Sequence, residues 1–127
     1  MNTKLKALLP VIEQRLLCDD ITAFKIGKTA NEDERFNDDD YNAYEYASII
    51  AQSDNPDLIA VAESDLIQYF KSHNDLKCKC ENINSGSAGN SAASKLYIIA
   101  IGPTTRKGME TLLDKFPLFK DIMIYKL

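Results

Sequence analysis

The chain contains no tryptophan and a single histidine, His73. Glycine and proline are scarce, at five and four residues, and neither an internal repeat nor a low-complexity tract is present beyond the small-residue run 85–94. The three cysteines, Cys18, Cys78 and Cys80, are an odd count, and Cys78 and Cys80 stand only two positions apart. That is no disulfide framework, and reduced thiols in a reducing compartment fit it best. Zinc sites favour paired Cys-x2-4-Cys spacing, which is missing here, although Cys18, Cys78, Cys80 and His73 stay open as a metal set. No run approaches the ~20 apolar residues that span a bilayer, so no membrane association is expected. The first residues carry Lys4 and Lys6, but the apolar run behind them is broken by Pro10 and Glu13 and no small-residue cleavage site follows. A signal peptide is therefore not expected, and a cytoplasmic chain is.

What is present is enough for one core. The chain has 127 residues, 45% of them apolar, which is the usual size of a single domain. The formal net charge of −4 argues against a surface that binds nucleic acid all over, because phosphate contacts drive such affinity. The charge is uneven, however. Residues 31–45 hold seven acids against Arg35 alone, whereas residues 95–127 hold six bases against three acids. Local polarity of this kind matters more than the sum.

Periodicity predicts a helix over 3–17, from Leu5, Leu8, Leu9, Ile12 and Leu16, with Pro10 as a kink or as its true start. A strand is expected over 21–26, a short helical turn capped by Asn31 over 31–36, and a strand over 43–52 from the alternation of Tyr44, Tyr46, Ser48 and Ile50. Pro56 to Lys71 reads as the clearest helix, with a cap and an early proline. Residues 72–94 read as a polar loop, 96–101 as a buried strand, 105–115 as a helix whose apolar stripe runs on to Phe116, and 121–127 as a closing strand. Strands alternating with helices predict an α/β (α+β) domain with a small mixed sheet flanked by helices.

One residue breaks the pattern. Leu58, Ile59, Ala62, Leu66, Ile67 and Phe70 form the apolar stripe of helix 56–71, and Glu63 falls inside it. A carboxylate on a core-facing stripe is costly unless it is paired, protonated or bound to a cation. It either escapes to the rim or points into a cleft as a metal ligand or acid/base group.

Three segments in order resemble the GIY-YIG endonucleases. Phe24-Lys25-Ile26-Gly27-Lys28-Thr29 resembles the second signature strand, and Arg35 follows eight residues after Gly27, near the family's arginine. Ala62-Glu63-Ser64-Asp65-Leu66-Ile67 resembles the helix that carries the metal-binding glutamate. Asn82-Ile83-Asn84-Ser85-Gly86 resembles the downstream asparagine and small-residue loop. The resemblance covers about residues 22–90. It implies metal-assisted phosphodiester hydrolysis, with Mg²⁺ or Mn²⁺ on Glu63, Arg35 gripping phosphate, and Lys25, Lys28, Arg35 and Asn82 contacting nucleic acid, DNA before RNA. Asn84 is a second candidate for the asparagine. Gly-Ile-Tyr, the first signature, has no counterpart before residue 22, and Lys25 stands where the second signature has tyrosine. Tyr97, on the strand 96–101, is the replacement phenol, expected on the face that carries Lys25.

Two further readings accompany the nuclease. One is the same fold without catalysis, serving as a nucleic-acid or protein adaptor. The other is an inhibitor whose acidic segment 32–40 imitates a nucleic-acid backbone and meets a protein partner. Gly86-Ser87-Ala88-Gly89 lacks the Lys-[Ser/Thr] ending of a phosphate-binding P-loop, so that motif is excluded.

Overall fold

The computed structural model describes residues 1–38, 41, 43–83, 93–102, 116–119 and 124–127. Helix α1 spans Thr3–Leu16, strand β1 Ala23–Thr29, helix α2 Glu32–Phe36, strand β2 Tyr46–Gln52, helix α3 Pro56–Lys71, strand β3 Lys95–Ile101, strand β4 Phe116–Pro117 and strand β5 Tyr125–Lys126. The three expected strands join one sheet in the order β1-β3-β2-β4, with β5 also on β2. β3 runs antiparallel to both β1 and β2, whereas β4 and β5 lie parallel to β2, so the sheet is mixed and the fold is α+β.

Local signals explain the helices. Asn2 caps α1 by accepting from the backbone N–H of Lys4 at 2.9 Å, so the helix starts at Thr3 and Pro10 lies inside it. Asn55 caps α3 by accepting from Asp57 N–H at 3.0 Å, and Pro56 occupies the first turn, where its missing N–H costs nothing. Leu5, Leu8, Ile12 and Leu16 of α1 and Ile59, Ala62, Leu66, Ile67 and Phe70 of α3 share one core with Phe24, Ile26, Leu96, Ile98 and Ala100 of the sheet. Both helices therefore cover the same face. A register shift between Ile49 and Ala51 turns the consecutive residues Ile50 and Ala51 to that core, which strict alternation forbids.

The opposite face carries a smaller core of Tyr41, Tyr44, Tyr97 and Ile99, flanked by Phe36, Ala47, Ile49 and Ile101. Here the expected strand 43–52 needs correcting at its start. Tyr41 N–H bonds Asp38 C=O at 2.9 Å and Tyr44 N–H bonds Tyr41 C=O at 3.1 Å, so these residues turn beneath the sheet and the strand begins at Tyr46.

The expected polar loop 72–94 also differs over its first half. Residues 74–79 wind into turns, Leu76 is fully buried, and Cys80 bridges to Phe24 along the free edge of β1. Phe116 belongs to β4 rather than to a helical stripe, because its N–H bonds Glu45 C=O at 2.9 Å. The expected helix 105–115 and Asp121–Met123 of the closing strand lie outside the described residues.

The facing of α3 is testable. Phe70 is fully buried with its ring edge-on to Phe24 at 5.4 Å, whereas Val61 is 59% exposed. Phe70→Ala should cost about 3–5 kcal/mol in denaturant unfolding and Val61→Ala less than about 0.5 kcal/mol. Equal losses would mean that α3 is rotated.

Candidate functional site

In β1, side chains alternate, and the register sets Lys25 opposite Ile99 and Gly27 opposite Tyr97. All four face the side away from α1 and α3. Gly27 is needed there. A Cβ on it would stand 2.3 Å from the Tyr97 Oη and 2.4 Å from Cζ, so only a residue without a side chain lets the Tyr97 ring lie across the β1 backbone.

The rest of the site is delivered by the segment after β1. Thr29 closes the strand by exchanging hydrogen bonds with the backbone of Asn31, and Asn31 caps α2 by accepting from Glu34 N–H at 3.2 Å. Glu32 forms an ion pair with Lys95, tying α2 to β3, and this bond holds the Glu32 carboxyl below its usual range. The short helix then presents Phe36 edge-on to Tyr97 at 5.3 Å and places Arg35 beside the tyrosines.

Four polar side chains meet at this point. The Tyr41 and Tyr97 hydroxyls are 2.9 Å apart and share a hydrogen bond that either can donate. Arg35 lies within the electrostatic reach of Tyr41 and Tyr97, and the Lys25 ammonium sits 5.8 Å over the Tyr41 ring. Tyr44 packs edge-on to Tyr41 and donates to Glu81 at 2.7 Å. Burial works against the charge on Arg35, yet Tyr41 and the field of the phenols hold its pKa above the ordinary value. Burial, then the bond to Tyr41, pushes the Tyr97 phenol well above its ordinary range. Arg35 pulls the same phenol down, and the negative charge of Glu63 pushes it up. Tyr97 is only 2% exposed, so this phenol stays neutral.

Glu63 is 7% exposed, inside the α3 stripe as its position implies, and its carboxylate is not left without a partner. Its charge and that of Arg35 act on one hydroxyl from opposite signs. Lys28 is not part of this group. It pairs with Leu96 in the register and so projects from the helix-covered face, opposite to Lys25. Asn82 is committed to the fold: its Oδ1 accepts from Ile26 N–H at 2.8 Å and its Nδ2 donates to Ile26 C=O at 2.7 Å. Asn84 lies outside the described residues. Tyr41 and Tyr44 escape sequence reading because they look like strand residues; the available hint is three tyrosines within six positions, 41–46.

Other candidates are placed elsewhere. An open cleft of about 720 Å³ lies between Met1 and residues 65–75 of α3 and its C-terminal turn, lined by Asp65, Tyr69 and His73 among others, and a second of about 260 Å³ lies beside Gln52 and Lys126. None of the predicted site residues lines either. His73 accepts from Asp75 N–H at 3.1 Å and approaches Glu13 at 4.0 Å, so it closes the end of α3. The three cysteines are free of disulfides, and burial pushes the Cys80 thiol up, away from reactivity. Among the described residues no three or more His, Cys, Asp or Glu side chains gather as a metal cage. Of the acidic segment, Glu32 is paired and Asp39 and Asp40 lie outside the described residues.

The class defined by fold and site is thus an α+β domain with a lysine and a buried phenol pair on one face of the sheet and a buried carboxylate on helix α3. No protein-family model, curated protein or solved structure matches the chain. No described helix is long and apolar enough to cross a membrane.

Two outcomes follow from this geometry. Gly27→Ala should displace Tyr97 and destabilise the domain, and the cost should shrink when Tyr97→Ala is added; strictly additive melting shifts would contradict the close approach. The second concerns pH. Tyr97 and Tyr44 are both raised in the folded chain, above the ordinary value of 10.0, so above that pH the unfolded chain loses protons that the folded one keeps. The stability from their burial is complete below that value and is lost as pH climbs toward the folded values. Melting temperature should therefore fall on the alkaline side, and Tyr44→Phe should flatten the fall.

Proposed function

We propose that the chain is a GIY-YIG-like, nucleic-acid-directed domain of the cytoplasm that grips a phosphodiester, DNA before RNA, with Lys25 and Arg35 and hydrolyses it with a divalent cation on Glu63. The observation that carries this reading is the phenol pair Tyr41 and Tyr97, 2.9 Å apart beside Gly27, with the Lys25 ammonium 5.8 Å over the Tyr41 ring and Arg35 on the adjoining helix α2. Cations, a neutral phenol and a carboxylate are the groups that phosphoryl chemistry uses. The three free thiols support the reducing compartment.

The donor set suits a hard ion. With no carboxylate cage among the described residues, Glu63 would be the single protein ligand, which fits Mg²⁺ or Mn²⁺ keeping most of their waters and taking substrate oxygens. Such an ion supplies an acidified water and neutralises charge on the phosphoryl group. The chain's own residues do the rest. Arg35, held charged, gives a planar fork to the phosphate oxygens, and Lys25 adds a point charge beside it. The Tyr41–Tyr97 phenol pair stands beside these cations as neutral hydrogen-bonding groups.

The burial of the Tyr97 hydroxyl favours a second reading, in which the domain binds nucleic acid without cutting it. Incubation with supercoiled plasmid and labelled oligonucleotides separates the two. Cleavage should need added Mg²⁺ or Mn²⁺ and vanish in Glu63→Gln, whose circular dichroism should match the parent. Arg35→Ala should weaken binding and lower the salt slope by about one. Binding without cleavage in the parent selects the adaptor, cleavage that persists in chelator overturns the metal site, and absence of binding overturns both readings.

A further inference from the structure

An exposed carboxylate stands on the face that carries Lys25. Glu81 lies in the segment that runs along the outer margin of β1, and its N–H donates to Phe24 C=O at 2.8 Å, which sets it beside the residue before Lys25. Its side chain turns to the face away from α1 and α3, where the Tyr44 hydroxyl donates to Oε1 at 2.7 Å. Tyr44 is edge-on to Tyr41 at 5.7 Å, and the Lys25 ammonium lies 5.8 Å over the Tyr41 ring. Burial, then the bond to Glu81, pushes the Tyr44 phenol well above its ordinary range, so it remains a donor to the carboxylate. Among the described residues Glu81 and Lys25 form no ion pair with each other.

We infer that Glu81 is a specificity-determining residue of this face, its carboxylate accepting from the exocyclic amine of a cytosine or adenine while Lys25 holds the neighbouring phosphate. The inference rests on the proposed nucleic-acid reading and narrows its substrate to amine-bearing bases. A negative charge repels a bare phosphate chain, so a carboxylate beside the gripping lysine weakens binding unless the ligand also brings a donor. Nucleic acids carry their donors on the bases: cytosine presents its N4 amine and adenine its N6 amine, where thymine and uracil present a carbonyl oxygen. An ionised carboxylate is an acceptor with no proton to give, so it tells the two apart. Two constraints aim it in advance, the backbone bond to Phe24 and the side-chain bond from Tyr44, and the second oxygen is left for the ligand.

Fluorescence anisotropy compares a labelled oligodeoxycytidine with the same oligomer built from 2-pyrimidinone, a base that lacks the amine and keeps the rest of the cytosine ring. The parent should bind the cytosine oligomer about tenfold more tightly. In Glu81→Gln the amide oxygen takes the Tyr44 proton, which turns the amide NH₂ toward the ligand. The preference should then vanish, while affinity for both oligomers rises because a negative charge is gone. Tyr44→Phe keeps that charge and removes the tether, so it should narrow the preference without abolishing binding; a preference left at its parent value overturns the inference. If Glu81→Gln does not fold, Tyr44→Phe and the parent's own preference decide. A carboxylate that only fastens the margin of β1 would lower the melting temperature on substitution and leave the ratio of the two affinities where it was, which also overturns the inference. Equal binding of both oligomers by the parent, or a preference kept in Glu81→Gln, overturns it and leaves the nucleic-acid reading standing. Binding of neither oligomer overturns that reading and this inference together.

Discussion

β3 gives both of its hydrogen-bonding edges to neighbouring strands and both of its faces to apolar cores. Leu96, Ile98 and Ala100 complete the core beneath α1 and α3, while Tyr97 and Ile99 complete the one on the other side. A strand placed this way has no tolerance for a slip in register, because a shift by one residue would drive the Tyr97 phenol into the helix core and an isoleucine onto Gly27. The positions of β1 and β2, and of the helices they carry, follow from that pairing. So does the site, since the phenol at its centre is a β3 residue laid across a β1 glycine.

Much of this was legible. Helix 56–71 could be read to the residue because cap, proline and apolar stripe agree. The stripe singled out Glu63 while leaving it either at the rim or in a cleft, and the structure buries it; the mixed sheet followed from alternating elements. The path from 41 to 45 was not legible, because a cluster of tyrosines satisfies a strand and a packed turn equally well. What decides between them is Tyr97, more than fifty residues away. β4 is two residues long and carries no period to detect. Lys28 shows the reverse case: three positions from Lys25 on a strand, it had to face the other way, and the alternation rule already says so.

The site is built from groups that hold one another in their ordinary charge states. Arg35 stays a cation and Tyr97 stays a neutral phenol despite burial, and Tyr97 shares a hydrogen bond with Tyr41. Such a network is stiff and poor at proton exchange with water, which suits recognition and alignment better than general-base chemistry.

Asn82 has a consequence beyond the site. Its side-chain amide accepts from and donates to the Ile26 backbone, and Lys79 and Glu81 do the same for Phe24, so the outer edge of β1 meets short fragments that imitate a neighbouring strand. On the far side, β4 and β5 shield β2. An amide side chain cannot pass a ladder onward as a strand would. The sheet is thereby terminated rather than left as a template, and a second molecule arriving at that margin finds no row of open donors on which to polymerise.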